Sequence, residues 1–258
     1  MSTDLEISIR DGVQTFRFTR PEKKNALLSA MYVDMREALD RGDANTSVVA
    51  HLFIGSGGVF SAGNDIGEFM ERARSGTSLG APVLDFIRHL PRIAKPVIAA
   101  VDGLAVGIGT TLMFHCDLVY ATPAASFRTP FLDLGLVPEA GSSLLAPRLM
   151  GYARAFELLV LGEPFSAERA REAGIVNAIV PADQLESTAL AACARLARKA
   201  PEALALSRRL MRGDPEPIVA RVDEEARIFG ARLSSPEARE AFTAFMEKRV
   251  PNFPKMKG

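Results

Sequence analysis

The chain has 258 residues, 48% of them hydrophobic and 24% charged, a globular composition that excludes a disordered or fibrous protein. Lys+Arg and Asp+Glu both number 31, so the net charge is zero and the broad positive footprint of a nucleic-acid binder is absent. Cys116 and Cys193 stand far apart with no CxxC and no ligand-spaced His, which excludes a disulfide scaffold and a structural zinc site and fits a reducing compartment.

The opening MSTDLEISIRDG has neither the basic start nor the apolar segment of a signal peptide. Leu5, Ile7 and Ile9 alternate, Asp11-Gly12 turns the chain, and Val13 to Phe18 returns, which predicts a hairpin. Leu28, Met31, Met35 and Leu39 recur at helical spacing. Val48 to Ile54 is an apolar run of strand length, followed by a glycine-rich loop from Gly55 to Gly63. Pro82 suits the first turn of a helix presenting Val83, Phe86, Ile87 and Leu90. Pro96 precedes a buried strand, Val97 to Val101; Gly103 to Gly109 bends into an apolar helix, Ile108 to His115; Leu118 to Ala121 is a further strand. Asp102 and the glycines break the long apolar run from Val97 to Phe114, so it is not a membrane span. From about Gln184 the strands stop, and helical stretches broken by Pro201, Pro215 and Pro236 follow. Two of these carry the apolar faces Ile218/Val222/Phe229/Leu233 and Ala238/Phe242/Phe245, which suit packing on the chain's own core and oligomer contact equally. The closing PNFPKMKG carries no lipidation or peroxisomal address. The pattern is α/β, and a soluble cytoplasmic protein is expected.

Common catalytic templates fail. His51, His89 and His115 have no neighbouring nucleophile in a usable frame, and Gly55-Ser56-Gly57 is not a nucleophile elbow. Gly58 and Gly63 have P-loop spacing, but Asn64-Asp65 stands where Lys-Ser/Thr is required. Gly107-Ile108-Gly109 lacks the third glycine of a dinucleotide fingerprint. Two glycine turns remain, Ser61-Ala62-Gly63-Asn64-Asp65 and Gly103 to Gly109, each following a strand and leading toward a helix. They are either tight turns in a packed core or a pair of backbone donors converging on an oxyanion. Glu139, in the apolar stretch Gly135 to Gly141, is either an exposed helix-start acid or a buried general base.

Together these residues resemble the crotonase (enoyl-CoA hydratase/isomerase) superfamily. The match takes in Arg20 to Leu27, Phe60 to Asp65, Lys95 to Gly103 with the glycine turn after it, Phe127 to Gly141, Gly174 to Val176 and the tail Phe245 to Arg249. The strings Ser61 to Asp65 and Phe127 to Phe131 look most like the peroxisomal-type enoyl-CoA delta isomerases and their bacterial relatives. The resemblance implies a spiral of strand-strand-helix turns over residues 1–198, then a C-terminal helical trimerisation region over 199–258.

By the same resemblance, the backbone N–H groups of Asn64 and Ile108 would hold a thioester carbonyl. The two glutamates of a hydratase would fall at Thr111 and Phe131, neither of which can exchange the proton, which leaves Glu139 as the base of a double-bond isomerase. Lys23, Lys24, Ala62, Asp65, Ile66 and Lys248 fall in the coenzyme A contact segments, with Arg20 beside them and with Asp65 and Asn25 as shapers of turns. Phe69, Leu84, Thr111 and Phe131 would line the acyl pocket. The expected partner is an acyl-CoA thioester, with no metal, no cofactor beyond the substrate's own coenzyme A, no nucleic acid and no membrane. The expected assembly is a homotrimer or a dimer of trimers. The alternatives are another enolate-forming reaction (hydratase, hydrolase or lyase type) and a non-catalytic acyl-CoA-binding homologue.

Overall fold

The computed structural model describes residues 3–75 and 80–253, the side chains of residues 69 and 72–75 excepted. In chain order the elements are β1 (Leu5–Arg10), β2 (Val13–Phe18), α1 (Ser29–Ala44), β3 (Ala50–Gly55), α2 (Ile66–Ser75), α3 (Ala81–His89), β4 (Val97–Val101), β5 (Leu104–Val106) and α4 (Ile108–Thr111). Then come β6 (Leu118–Ala121), β7 (Ser126–Arg128), α5 (Ser142–Met150), α6 (Tyr152–Phe156), β8 (Phe165–Ser166), α7 (Ala167–Glu172) and β9 (Ala178–Ile179). Four helices complete the chain: α8 (Leu185–Ala197), α9 (Pro201–Arg212), α10 (Glu216–Leu233) and α11 (Pro236–Glu247).

The larger sheet has the order β1-β2-β3-β4-β6-β9 and the smaller one β5-β7-β8. The β1–β2 pair is the expected hairpin, with Asp11 and Gly12 both at positive φ in the turn, and the remaining pairs of the larger sheet are parallel. Each pass of the chain lays a strand in the larger sheet and a second in the smaller one: β4 then β5, and β6 then β7. The bridge between Ser61 and Ala105 adds the segment after β3 to the same layer. This is the strand-strand-helix spiral that the resemblance implied.

Alternation along the parallel strands sorts side chains to two faces. Phe53, Val97, Ala99 and Val101 enter the main core with Phe16 and Phe18. Leu52, Ile54, Ile98 and Ala100 face the other way, where α8 covers them with Leu185, Ala189, Ala192 and Cys193. The apolar faces of the last two helices pack largely on the chain's own core. Val222, Phe229, Leu233, Ala238 and Phe242 are buried in the chain's own core, while Leu210 and Met211 of α9 are 84% and 88% exposed. Among the described residues no helix is long and apolar enough to cross a membrane.

The region after β4 differs in detail from the sequence expectation. Leu104 to Val106 is not a bend but a short strand parallel to β7, and the helix after it is one α turn followed by a 3-10 turn over Leu112–His115. Three residues carry little periodicity, and their hydrogen bonds come from chain segments distant in sequence, β7 on one side and the Phe60–Ser61 segment on the other.

Candidate active site

The two glycine turns lie against each other. Asn25, fully buried, donates to the carbonyls of Ser56 and Val59 and pins the loop after β3. Ser61 donates its hydroxyl to the Asn25 carbonyl at 2.8 Å and accepts from the Gly63 N–H at 3.1 Å. The Val106 N–H donates to the Ser61 carbonyl at 2.9 Å, which joins the first turn to the second. Close approach is what makes glycine necessary here: a Cβ on Gly63 would stand 2.8 Å from the Val106 carbonyl oxygen, and one on Gly109 2.9 Å from that of Ser61. Gly107, at φ 55° and ψ −121°, turns the chain into α4 in a conformation other residues avoid.

Among the described residues the turns leave several N–H groups without a backbone acceptor, that of Gly109 included. Around Asn64 the backbone is fully engaged, the Leu27 N–H on the Gly63 carbonyl and the Asp65 N–H on the Leu27 carbonyl. The N–H groups of Asn64 and of Ile108, the first residue of α4, donate to no backbone acceptor among the described residues. They are the two that the resemblance picked out.

Glu139 is 2% exposed, so the exposed helix-start reading fails. Thr111 donates to its Oε1 at 3.5 Å, and among the described residues Oε2 is the only buried carboxylate oxygen without a partner. Burial foremost, with the Glu225 charge, pushes its carboxyl up to about 8, against the pull of the Thr111 hydroxyl. The turn that presents it is held from two sides. Ala140 is at φ 57°, unusual for a residue with a Cβ, and its carbonyl accepts from His115 Nε2 at 2.7 Å. Burial brings His115 down to about 4, so the ring is neutral and can donate from Nε2. From α10, Glu225 accepts the Gly141 N–H at 2.6 Å and the Ser143 N–H at 2.9 Å.

Tyr32 on α1 completes the site. Its hydroxyl donates to the Asn64 side-chain carbonyl at 2.5 Å, and burial together with the Glu139 and Glu68 carboxylates keeps the phenol protonated. Glu68 in turn accepts from the Ser29 N–H at the start of α1.

The remaining site candidates divide. Thr111 and Phe131 are buried, Thr111 directly beside Glu139, and Leu84 packs partly buried against the main core. The side chain of Phe69 lies outside the described residues. The Ala62 N–H donates to the Lys24 carbonyl, so the lysine pair borders the first turn, with Lys23 and Lys24 both exposed. Ile66 is 38% exposed at the start of α2. Asp65 accepts from the Arg20 guanidinium at 2.8 Å and from the Gly67 N–H at 3.0 Å, which commits both residues to shaping the turn. Lys248 ends α11 exposed, and no hydrogen bond or ion pair among the described residues joins its side chain to the site.

Sequence reasoning missed Tyr32 and Glu225. Both left a signal: each is a polar-tipped residue inside an apolar helical stripe, Tyr32 between Leu28 and Met35, Glu225 between Val222 and Phe229. Among the described residues no group of three or more His, Cys, Asp or Glu is placed to hold a metal.

Residues 8–256 match the family described as enoyl-CoA hydratase/isomerase. The enoyl-CoA delta isomerase 2 of Rattus norvegicus is 33% identical over 253 residues, covering 96% of this chain and 64% of the rat protein. This chain therefore spans about two thirds of that relative's length. The 2,3-dehydroadipyl-CoA hydratase of Escherichia coli (strain K12) is 30% identical, covering 97% of this chain and 98% of its own. Among solved structures, Pseudomonas aeruginosa OdaA superposes with a TM-score of 0.90 at 45% identity, covering 95% of this chain and 99% of its own.

Proposed function

Because the chain belongs to the enoyl-CoA hydratase/isomerase family, we propose that it converts a 3-enoyl-CoA to the conjugated 2-enoyl-CoA. The observation that carries this reading is the lone reactive carboxylate: Glu139 keeps one oxygen free in an apolar setting, and by the family resemblance the buried Thr111 and Phe131 take the positions of a hydratase's two acids. The Glu139 carboxylate takes the C2 proton. The electron pair moves into the thioester carbonyl, giving a dienolate whose oxygen is met by the Asn64 and Ile108 N–H groups. The Glu139 carboxylic acid then returns the proton to C4, and the electrons flow back to form the C2–C3 double bond. A base near pH 8 suits both halves, since it is strong enough to take a carbon-bound proton and acidic enough to give it back. Loss of one oxyanion donor would cost about 3–4 kcal/mol of transition-state stabilisation. Burial of Phe131 supports exclusion of water.

Lys23 and Lys24 meet the phosphates of coenzyme A in this reading, and Lys248 reaches the nucleotide across a subunit boundary in a homotrimer or dimer of trimers. The scheme uses no metal and no redox cofactor. The relatives' division between isomerase and hydratase makes the direct assay the decisive one. Wild type and Glu139→Gln are incubated with 3-hexenoyl-CoA while the absorbance of the conjugated thioester is followed. The expected result is conjugation by wild type and a fall of about 10²–10⁴-fold in the variant. Equal rates would place the base elsewhere. No conjugation with thioester binding intact would favour another enolate reaction or a binding protein.

A further inference from the structure

Gly141, the residue before α5, has no side chain to cap that helix, and the cap arrives instead from 84 residues downstream. Glu225 on α10 is 5% exposed. Its Oε2 accepts the Gly141 N–H at 2.6 Å, and its Oε1 accepts the Ser143 N–H at 2.9 Å and the Ser143 hydroxyl at 2.5 Å. Arg221, one turn earlier on α10, donates to the same hydroxyl at 3.3 Å. The clamped segment begins two residues after Glu139, and Glu139 and Ser142 close the intervening turn through a 3.0 Å backbone hydrogen bond.

A carboxylate is a costly cap here, because a buried one is expensive to desolvate and repels a second one nearby. We propose that Glu225 is a positioning residue for Glu139: its carboxylate fixes the turn that presents the base and sets a negative charge behind it. The inference rests on the reading of Glu139 as the base. It gives the C-terminal helices a direct part in the site, beyond packing.

The groups facing the Glu139 turn are Glu225 and Arg221 from α10, Thr111 from α4, the neutral His115 from the turn after α4, and Tyr32 from α1 with Glu68 of α2 behind it. Of these, only Glu225 raises the Glu139 carboxyl by its charge, and it does so second to burial.

The test is Glu225→Gln in the full-length chain. Glutamine removes the charge and supplies only one acceptor for the two N–H groups. The pH midpoint of kcat/KM is expected to fall by roughly one unit, and kcat to fall about tenfold with KM within about threefold of wild type. In parallel, the infrared band of the protonated Glu139 carboxyl, identified by its loss in Glu139→Gln, is titrated in both proteins, and its midpoint should fall with the kinetic one. That measurement needs no turnover. If wild type lacks isomerase activity, the reading of Glu139 as base fails while the band still reports on Glu225. An unmoved infrared midpoint overturns the proposal. Should Glu225→Gln not fold, Glu225→Asp keeps the charge and shortens the reach. It is expected to lower kcat several-fold at unchanged KM, and wild-type kcat in that variant overturns the proposal too.

Discussion

The Tyr32 hydroxyl and the Asn64 side-chain carbonyl meet at 2.5 Å, tying α1 to the turn whose backbone N–H is left unengaged. Tyr32→Phe keeps the ring in the core and deletes the donor, so the Asn64 oxygen loses its partner at about 1–3 kcal/mol. The thermal midpoint should drop by several degrees, and kcat by about tenfold at near-constant KM. Wild-type kinetics in a destabilised variant would show that the turn holds its shape without the tyrosine.

Gly107→Ala tests whether backbone conformation aims the second donor. An added Cβ meets nothing within 4 Å, so the cost comes from φ 55° and ψ −121°, about 1–3 kcal/mol. Turnover should fall by about 10²-fold as the Ile108 N–H swings away. Gly109→Ala acts differently, since its Cβ would stand 2.9 Å from the Ser61 carbonyl and force the two turns apart. Steady-state kinetics with thermal melts on both variants would separate conformation from contact. An active, stable Gly107→Ala would rule out conformational control.

The stability of the protein should bear the mark of Glu139. Its carboxyl stands at about 8 in the folded chain against 4.5 ordinarily, so between these values the folded chain keeps a proton that the unfolded chain has released. Unfolding free energy therefore falls as pH rises through this window and levels off above it. Glu139→Gln has no such loss, and at pH 8.5 it should melt higher than wild type by about 4 °C or more, with a smaller gap at pH 5. Parallel melting curves across pH would disprove the buried-base assignment.

His115 sets the acid side. The folded ring stands at about 4 against 6.5 ordinarily, so below 6.5 the unfolded chain takes up a proton that the folded chain refuses, and stability falls as pH drops toward 4. His115→Gln retains a donor for the Ala140 carbonyl and cannot titrate. Urea unfolding at pH 5 and 7 should show a shallower pH loss than in wild type. His115→Phe removes the donor, and kcat should fall with stability as the Ala140 turn relaxes. Equal pH dependence in wild type and His115→Gln would count against the buried neutral ring.

By itself the sequence determined what local chemistry can encode. Alternation in β1, the Asp11-Gly12 turn that returns the chain as β2, the apolar runs of β3 and β4, the stripe on α1 and the prolines at the starts of α9 to α11 all report burial and backbone preference, and these elements stand where those signals put them. The glycine turns and Glu139 were legible because small residues and a lone acid in apolar surroundings stand out one position at a time. Tertiary structure alone decided how these pieces meet. Tyr32 reaches Asn64 across 32 residues, and Glu225 reaches Gly141 across 84. Arg20, a candidate for phosphate on the strength of its charge, is committed to Asp65 across 45. The strands β5, β7 and β8 are too short to carry a period and depend on hydrogen-bonding partners elsewhere in the chain, β7 pairing with both of the others. Periodicity records which face of an element is dry; which residue stands opposite it depends on the path of the whole chain.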